Sequence, residues 1–435
     1  MDVETFGTAL RRLRLSAGLS VREVARIAIC GKSYVSDLEH GRRCAPSMCV
    51  VQALDKAVGA NGELISLVAN LANAAQAAGV DALEGDGTEV RRREFVGLTG
   101  AALIDTVLDA SDDSARASST FESLAGVLVD HSQAADGPVD LPSLAGAVWT
   151  AKRNYQSCRY SHLVGGLPVL LRGLRTACAV LDGEARLRAN ALAAEAYHVA
   201  ASMLLKQDDK GLAWLAADRS VQAAQASQNP LMIGSSARII THALMNGGHH
   251  RTATDMARGA ALRMSAELTD SSPDGLSVYG SLLLRGAIAA AHGGERHRIA
   301  ELLDEAAEAG ARLGHDGNHM WTAFGPHNVL CHRVNIALRL GDVGAAIAYA
   351  RQVEIDKLPV NERKATLLLD TSRAFLLQGR HEKALRILRT VGDLAIEEIA
   401  GRAAPLRLVR DIQATAPPSL RREAREYAAS LGVGT

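Results

Sequence analysis

The stretch from Leu19 to Arg43 restricts the fold more than any other part of the chain. Ser20 is a good N-cap and Glu23, three residues on, completes a capping box, so a short helix is expected to open at Val21. Val21, Val24, Ala25 and Ala28 recur at helical spacing and give that helix one apolar face. Gly31 can take the turn conformation that Cβ-bearing residues resist. A second short helix is expected from Lys32 to His40, with Val35 and Leu38 turned inward and Gly41 placed to stop it.

Two short helices across a tight glycine turn form a helix-turn-helix unit, whose second helix can enter the major groove of DNA. Upstream, Phe6, Leu10 and Leu13 form the buried stripe of a preceding helix. Downstream, Pro46-Ser47 opens a helix through Val50, Val51, Leu54 and Val58 that ends at Gly59, and Asn61-Gly62-Glu63-Leu64 begins a fifth. The pieces FGTALRRLRLSAGLS, VREVA, SYVSDLEHGRR and GELISL together resemble an Xre-type, λ-repressor-like five-helix DNA-binding domain. That resemblance also implies an ion pair within the domain between Glu39 and either Arg11 or Arg14.

A recognition helix presents its N-terminal residues to base edges, which makes Lys32, Ser33, Ser36 and Asp37 the expected base readers. Arg22, Tyr34, Arg42 and Arg43 are better placed for phosphates, which fix register without carrying sequence information. Residues 1–70 hold nine Arg/Lys against seven Asp/Glu. So small a surplus points to affinity gained by dimerisation rather than by one very basic face.

Beyond this domain the composition shifts. EGDGTE (Glu84–Glu89) reads as a linker, the segment from Arg91 as a basic-capped helix, and Asp109–Ser119 and Ala134–Pro142 as loops. The expected divisions are 1–70, a connecting segment 71–143, and 144–435. Aromatics make up only 3% of the residues and alanine is abundant, which favours close-packed helices and an all-α fold. No continuous apolar run reaches the roughly 20 residues of a bilayer span. The acidic N-terminus lacks a secretory segment, so a cytoplasmic, nucleoid-associated protein without membrane contact is expected. The six cysteines contain no C-x-x-C pair, as fits reduced structural thiols.

From about Leu144 the chain reads as helix pairs. Turn markers at Gln207-Asp208-Asp209, Gly247-Gly248, Gly293-Gly294, Gly341-Asp342 and Gly379-Arg380 are spaced 40, 46, 48 and 38 residues apart. Such a period marks an α-solenoid, in which each pair leaves an apolar face for the next to cover. The repeats resemble degenerate tetratricopeptide repeats. NYQSCRYSHLVGGLP, AADRSVQAAQASQNP, GHDGNHMWTAFGPHNVLCHRVNIALRLGD and LPVNERKATLLLDTSRAFLLQGRHEKAL are similar to the sensor region attached to Xre-type domains in actinobacterial regulators.

Asn328, His332 and Asn335 share one helical face, where side-chain amides can hold a peptide backbone or a small polar ligand. Trp321 and Phe324 are expected to floor that groove, with Tyr155, Arg159, Tyr160, Tyr197 and Arg373 as further lining. His315 and His319 stand four apart, but Gly314 and Gly317 argue for a loop, and no third ligand has metal-site spacing. No phosphate loop, nucleophile elbow or H-E-x-x-H occurs, so neither a cofactor nor enzymatic activity is expected. The expectation is a transcriptional regulator acting as a homodimer on a double-stranded, palindromic operator, with a peptide, small molecule or protein as effector. The alternative is an interaction scaffold that the helix-turn-helix domain tethers to DNA.

Overall fold

The computed structural model describes residues 5–28, 32–41, 48–68, 113–130, 139–267, 272–400 and 402–431, and all regular secondary structure among them is helical. The chain divides into two compact units, Met1–Arg92 and Arg93–Thr435. The linker at Glu84–Glu89, the basic segment from Arg91, and Gly31 lie outside the described residues.

In the first unit, helix α1 (Phe6–Ser16) is capped by Thr5 and α2 (Val21–Ile27) by Ser20, whose side chain and Glu23 form the reciprocal capping box. Helices α3 (Lys32–Glu39) and α4 (Met48–Val58) follow, and residues 63–68 are again helical. Phe6 and Leu10 of α1, Val24 and Ala25 of α2, Val35 and Leu38 of α3, and Val51 and Leu54 of α4 meet in one core. Gly7 lets α1 approach α3 closely, because a Cβ there would stand 2.2 Å from the Leu38 carbonyl oxygen. Buried Asp55 of α4 accepts from the Gly62 and Leu64 N–H groups at 2.7 and 3.0 Å, satisfying donors at the start of the next helix.

The second unit begins with α5 (Asp113–Val129), whose Leu124, Val127 and Leu128 join the repeat core. Residues 113–119 are therefore helical rather than part of a loop. Six helix pairs follow: α6/α7 (Leu141–Gln156, Tyr160–Val180), α8/α9 (Gly183–Lys206, Lys210–Ala226) and α10/α11 (Pro230–Asn246, His250–Glu267) lead into the second three. These are α12/α13 (Pro273–His292, Arg296–Leu313), α14/α15 (Pro326–Arg339, Val343–Ala350) and α16/α17 (Asn361–Leu377, His381–Ala395). Short α18 (Glu397–Ala400) and then α19 (Ala403–Thr415) and α20 (Arg421–Ser430) close the unit. Helix α7 is apolar and long enough to cross a bilayer, yet it gives Leu163, Leu167, Leu171 and Leu174 to the core.

One cap recurs at the turn inside every pair. The N–H after the turn donates back five residues, as in Asp209 to Leu204, His249 to Leu244, Glu295 to Ala290, Asp342 to Ala337 and Arg380 to Phe375, all at 2.9–3.0 Å. The residue just before each donor has positive φ, and it is Gly248, Gly294, Gly341 or Gly379 in four of these five turns. This is the Schellman geometry, in which a left-handed residue lets the chain satisfy helix-end carbonyls and reverse. Asp208 in the remaining turn, and Cys158 in the α6–α7 turn, hold the same conformation without glycine's freedom.

The first helix of each pair packs on the first helix of the next, from α6 through α8, α10, α12 and α14 to α16. Helix α16 then returns to touch α6, so the superhelix closes on itself. Across the closure Tyr160 donates to Glu398, the Ser161 N–H donates to Glu397 at 2.8 Å, and Gln156 bonds Asn318. The first helices consequently surround a lumen.

Candidate functional site

In the first unit the site is built around α3. Val35 and Leu38 point into the core, while Ser36 is only partly buried and Arg22 at the start of α2 is exposed. The C-terminal end of α3 is fixed by a buried fork. Arg14 donates through Nε to Glu39 Oε1 at 2.5 Å, through Nη2 to Oε2 at 2.9 Å, and through Nη1 to the Leu19 carbonyl at 2.9 Å. Arg14, not the exposed Arg11, is thus the partner of Glu39, and the bridge ties α1, the α1–α2 turn and α3 together. The side chains of Lys32, Ser33, Tyr34 and Asp37, and residues Arg42 and Arg43, lie outside those described.

In the second unit the first helices enclose a cavity of about 560 Å³, within the usual range for small-molecule sites. Its wall is charged. Eight basic side chains line it against three carboxylates, Glu195, Glu362 and Asp370. Lys206 bridges Glu362 at 3.1 Å and fully buried Glu398 at 2.7 Å, and its ammonium lies 5.4 Å from the Tyr155 ring centre. Arg363 pairs with Glu362 at 2.8 Å, Arg402 with Glu398, and Lys152 with Glu195. Burial lowers the Lys152 ammonium to about 8 despite its carboxylate partner, and Lys152 also lies over the Trp321 ring.

Four guanidiniums in this wall lack a carboxylate among the described residues: Arg339 and Arg407 are exposed to solvent, whereas Arg238 and Arg285 are partly buried. Arg238 Nη2 reaches His198 Nε2 at 3.2 Å, and its Nε is buried without a partner. Arg285 makes no hydrogen bond or ion pair among the described residues, and its buried Nε is likewise unpartnered. The imidazoles beside them are neutral. Burial, reinforced by nearby guanidiniums, holds His198 and His242 well below the ordinary histidine value and His332 at about 3.

Of the residues expected to line the groove, Tyr155, Trp321, Asn328, His332 and Asn335 do line this cavity. Asn335 donates to Asp370 at 2.9 Å, and Asn328 donates to the Ala323 carbonyl at 2.8 Å while its Oδ1 is left unpartnered. The remaining five do not belong. Phe324 is wholly buried in the core against Gly280, because a ring of that size gains more from apolar packing than from a polar lumen. Buried Tyr160 is committed to Glu398. Tyr197 faces a shallower depression beside Arg175, and Arg159 and Arg373 are exposed.

Sequence reasoning missed Lys206, Arg238, Arg285, Glu362, Arg363 and Arg402. His315 lies in the expected loop after α13, and His319 opens a single 3-10 turn (His319–Trp321), where it is 3.1 Å from Asp274. That loop holds three non-glycine residues at positive φ, Met320, Trp321 and Ala323, all of which line the cavity. Such strain concentrates at functional sites and persists only where the surroundings enforce it. Here Gln156 bonds the Trp321 carbonyl at 3.1 Å, and Asp316 accepts from the His327 N–H at 3.0 Å.

Residues 5–68 match a family model described as a helix-turn-helix domain. No curated protein matches the chain. Among solved structures the chain is similar to one described as a Rap protein complexed with competence and sporulation factor. Identity is 12%, coverage is 91% of this chain and 99% of that one, and the TM-score is 0.43. So distant a likeness says nothing about what this chain binds, and the repeat architecture rests on its own helix pairing. Among the described residues the chain is all-helical, with an N-terminal helix-turn-helix domain followed by a unit of paired helices.

Proposed function

We propose that the protein is a sequence-specific transcriptional regulator that binds DNA as a homodimer and responds to an effector held in the repeat lumen. The observation that carries this reading is the helix-turn-helix domain, whose α3 turns Val35 and Leu38 into the core while Ser36 is only partly buried. Lys32, Ser33, Ser36 and Asp37 then read base edges, while Arg22, Tyr34, Arg42 and Arg43 hold phosphates. Two copies bind a palindromic operator whose half-sites lie about 34 Å apart, one helical turn, or a multiple of it.

The repeat unit supplies dimerisation and response. An effector shifts DNA binding only by preferring one shape of that unit over another. The strained segment Met320–Ala323 on the cavity wall is suited to hold two such shapes. A regulator of this kind needs no catalytic group and works in the compartment that holds the chromosome. Selection of bound sequences from a random duplex library by the full-length protein tests the reading. The expected result is a two-fold symmetric consensus bound at least about a thousandfold more tightly than scrambled DNA. Enrichment of no consensus would overturn it.

A further inference from the structure

We infer that the lumen of the repeat unit is an anion site, in which Arg238 and Arg285 jointly hold the carboxylate or phosphate head of a small molecule. The inference rests on the effector-binding reading above and assigns the chemistry of its ligand.

Apart from Arg339 and Arg407, which are exposed to solvent, two cations of the wall stand without a carboxylate. Around Lys206 every cation has a carboxylate: Glu362 serves Lys206 and Arg363, and Glu398 serves Lys206 and Arg402. Lys152 has Glu195. Arg238 on α10 and Arg285 on α12 have none, although those helices pack directly on one another. Nor can the surrounding imidazoles supply negative charge. They are uncharged, and His198 offers Arg238 only a neutral acceptor.

A cation removed from bulk water without a counter-charge is costly, and two in one cavity compound that cost. The strain is visible in their basicity: burial and the neighbouring guanidiniums bring Arg238 to about 10 and Arg285 to about 9. Each also leaves one Nε donor unused. Guanidinium forks match the planar, two-oxygen edge of a carboxylate or phosphate, so an oxyanion would satisfy both donors and neutralise the excess charge.

The remaining wall suits the body of such a ligand. Asn328 Oδ1 is an unused acceptor for a ligand N–H or O–H, and Trp321 and Met320 offer apolar contact. The cavity of about 560 Å³ fits a metabolite-sized molecule rather than a folded partner.

The test is binding to the full-length protein by calorimetry and thermal shift, without DNA and at ionic strength held constant with sodium chloride. Pyrophosphate serves as the phosphate probe and citrate as the carboxylate probe. Saturable, one-per-chain binding of either is expected, with affinity at least tenfold weaker in Arg285→Gln and in Arg238→Gln. The probe that binds identifies the head group. Without anion both variants should melt no lower than wild type, because each loses an uncompensated charge; a purely structural role for the arginines would lower the melting temperature. No saturable binding of either probe, or undiminished binding in both variants, would overturn the inference. Sequence-selective DNA binding is measured separately, so its failure removes the regulator reading without touching the anion result, and the reverse holds equally.

Discussion

Replacing Glu39 with alanine should detach the recognition helix from its support. Arg14 and Glu39 are only 8% and 7% exposed, and the fork between them replaces hydration that neither can recover in place. Removing one partner of a buried ion pair strands the other and typically costs about 3–5 kcal/mol. A 64-residue domain holds roughly 3–10 kcal/mol in all. Glu39→Ala should therefore consume most of the stability of this unit while the repeat unit stays folded.

Hydrogen exchange on the full-length protein separates the two. At about 1.4 kcal/mol per tenfold, protection of the α1 and α3 amides should fall by roughly two to three and a half powers of ten. The double replacement Arg14→Met with Glu39→Met removes both charges and should recover most of the loss, leaving about 1 kcal/mol for the undonated Leu19 carbonyl. A fall of less than tenfold in Glu39→Ala, or a double variant no better than the single, would refute the stranded-charge reasoning.

Two further perturbations probe the repeat unit. Gly280→Ala would set a Cβ 2.0 Å from the fully buried Phe324 ring, so denaturant unfolding should show a loss of about 1–3 kcal/mol, partly relieved by Phe324→Leu. Acid should destabilise this unit before its carboxylates titrate. His198, His242 and His332 have folded values below the unfolded value near 6.5, so their contribution is complete above that pH and is lost as pH falls toward the folded values, about 3 for His332. The slope is about 1.4 kcal/mol per pH unit for each histidine. The melting temperature of the repeat transition should drop between pH 7 and pH 5, and a flat profile there would contradict the buried, neutral assignment.

Much of the backbone was legible because it is encoded locally. Ser20 and Glu23 cap α2 as their spacing implies, and Gly248, Gly294, Gly341 and Gly379 sit at the turns because each must hold a left-handed residue. Helical phase also separates the two candidate partners of Glu39. Arg14 follows buried Leu10 by four residues, whereas Arg11 falls on the outer face.

The lumen was harder to read. Single charged residues in alanine-rich helices look like a solvated face until the superhelix closes, and closure depends on contacts such as Tyr160 with Glu398, 238 residues apart. The stripe of Asn328, His332 and Asn335 was the visible fragment of a wider pattern. Ser281, Arg285 and His292 on α12, and Ser235, Arg238 and His242 on α10, place polar side chains on the inner face at similar helical steps. The aromatic residues misled for the opposite reason. Phe324, Tyr160 and Tyr197 were expected at a binding surface, but their large apolar area is buried in the core or at its edge.

The most direct test of the DNA-reading assignment is sequence selection by Lys32→Ala and Ser36→Ala, each in the full-length protein and compared with wild type. Loss of a base contact should reduce discrimination at one or two operator positions by about 1–3 kcal/mol, roughly 5- to 150-fold, while affinity for scrambled DNA changes far less. An unchanged consensus and an unchanged preference for it in both variants would show that the leading turn of α3 does not read sequence.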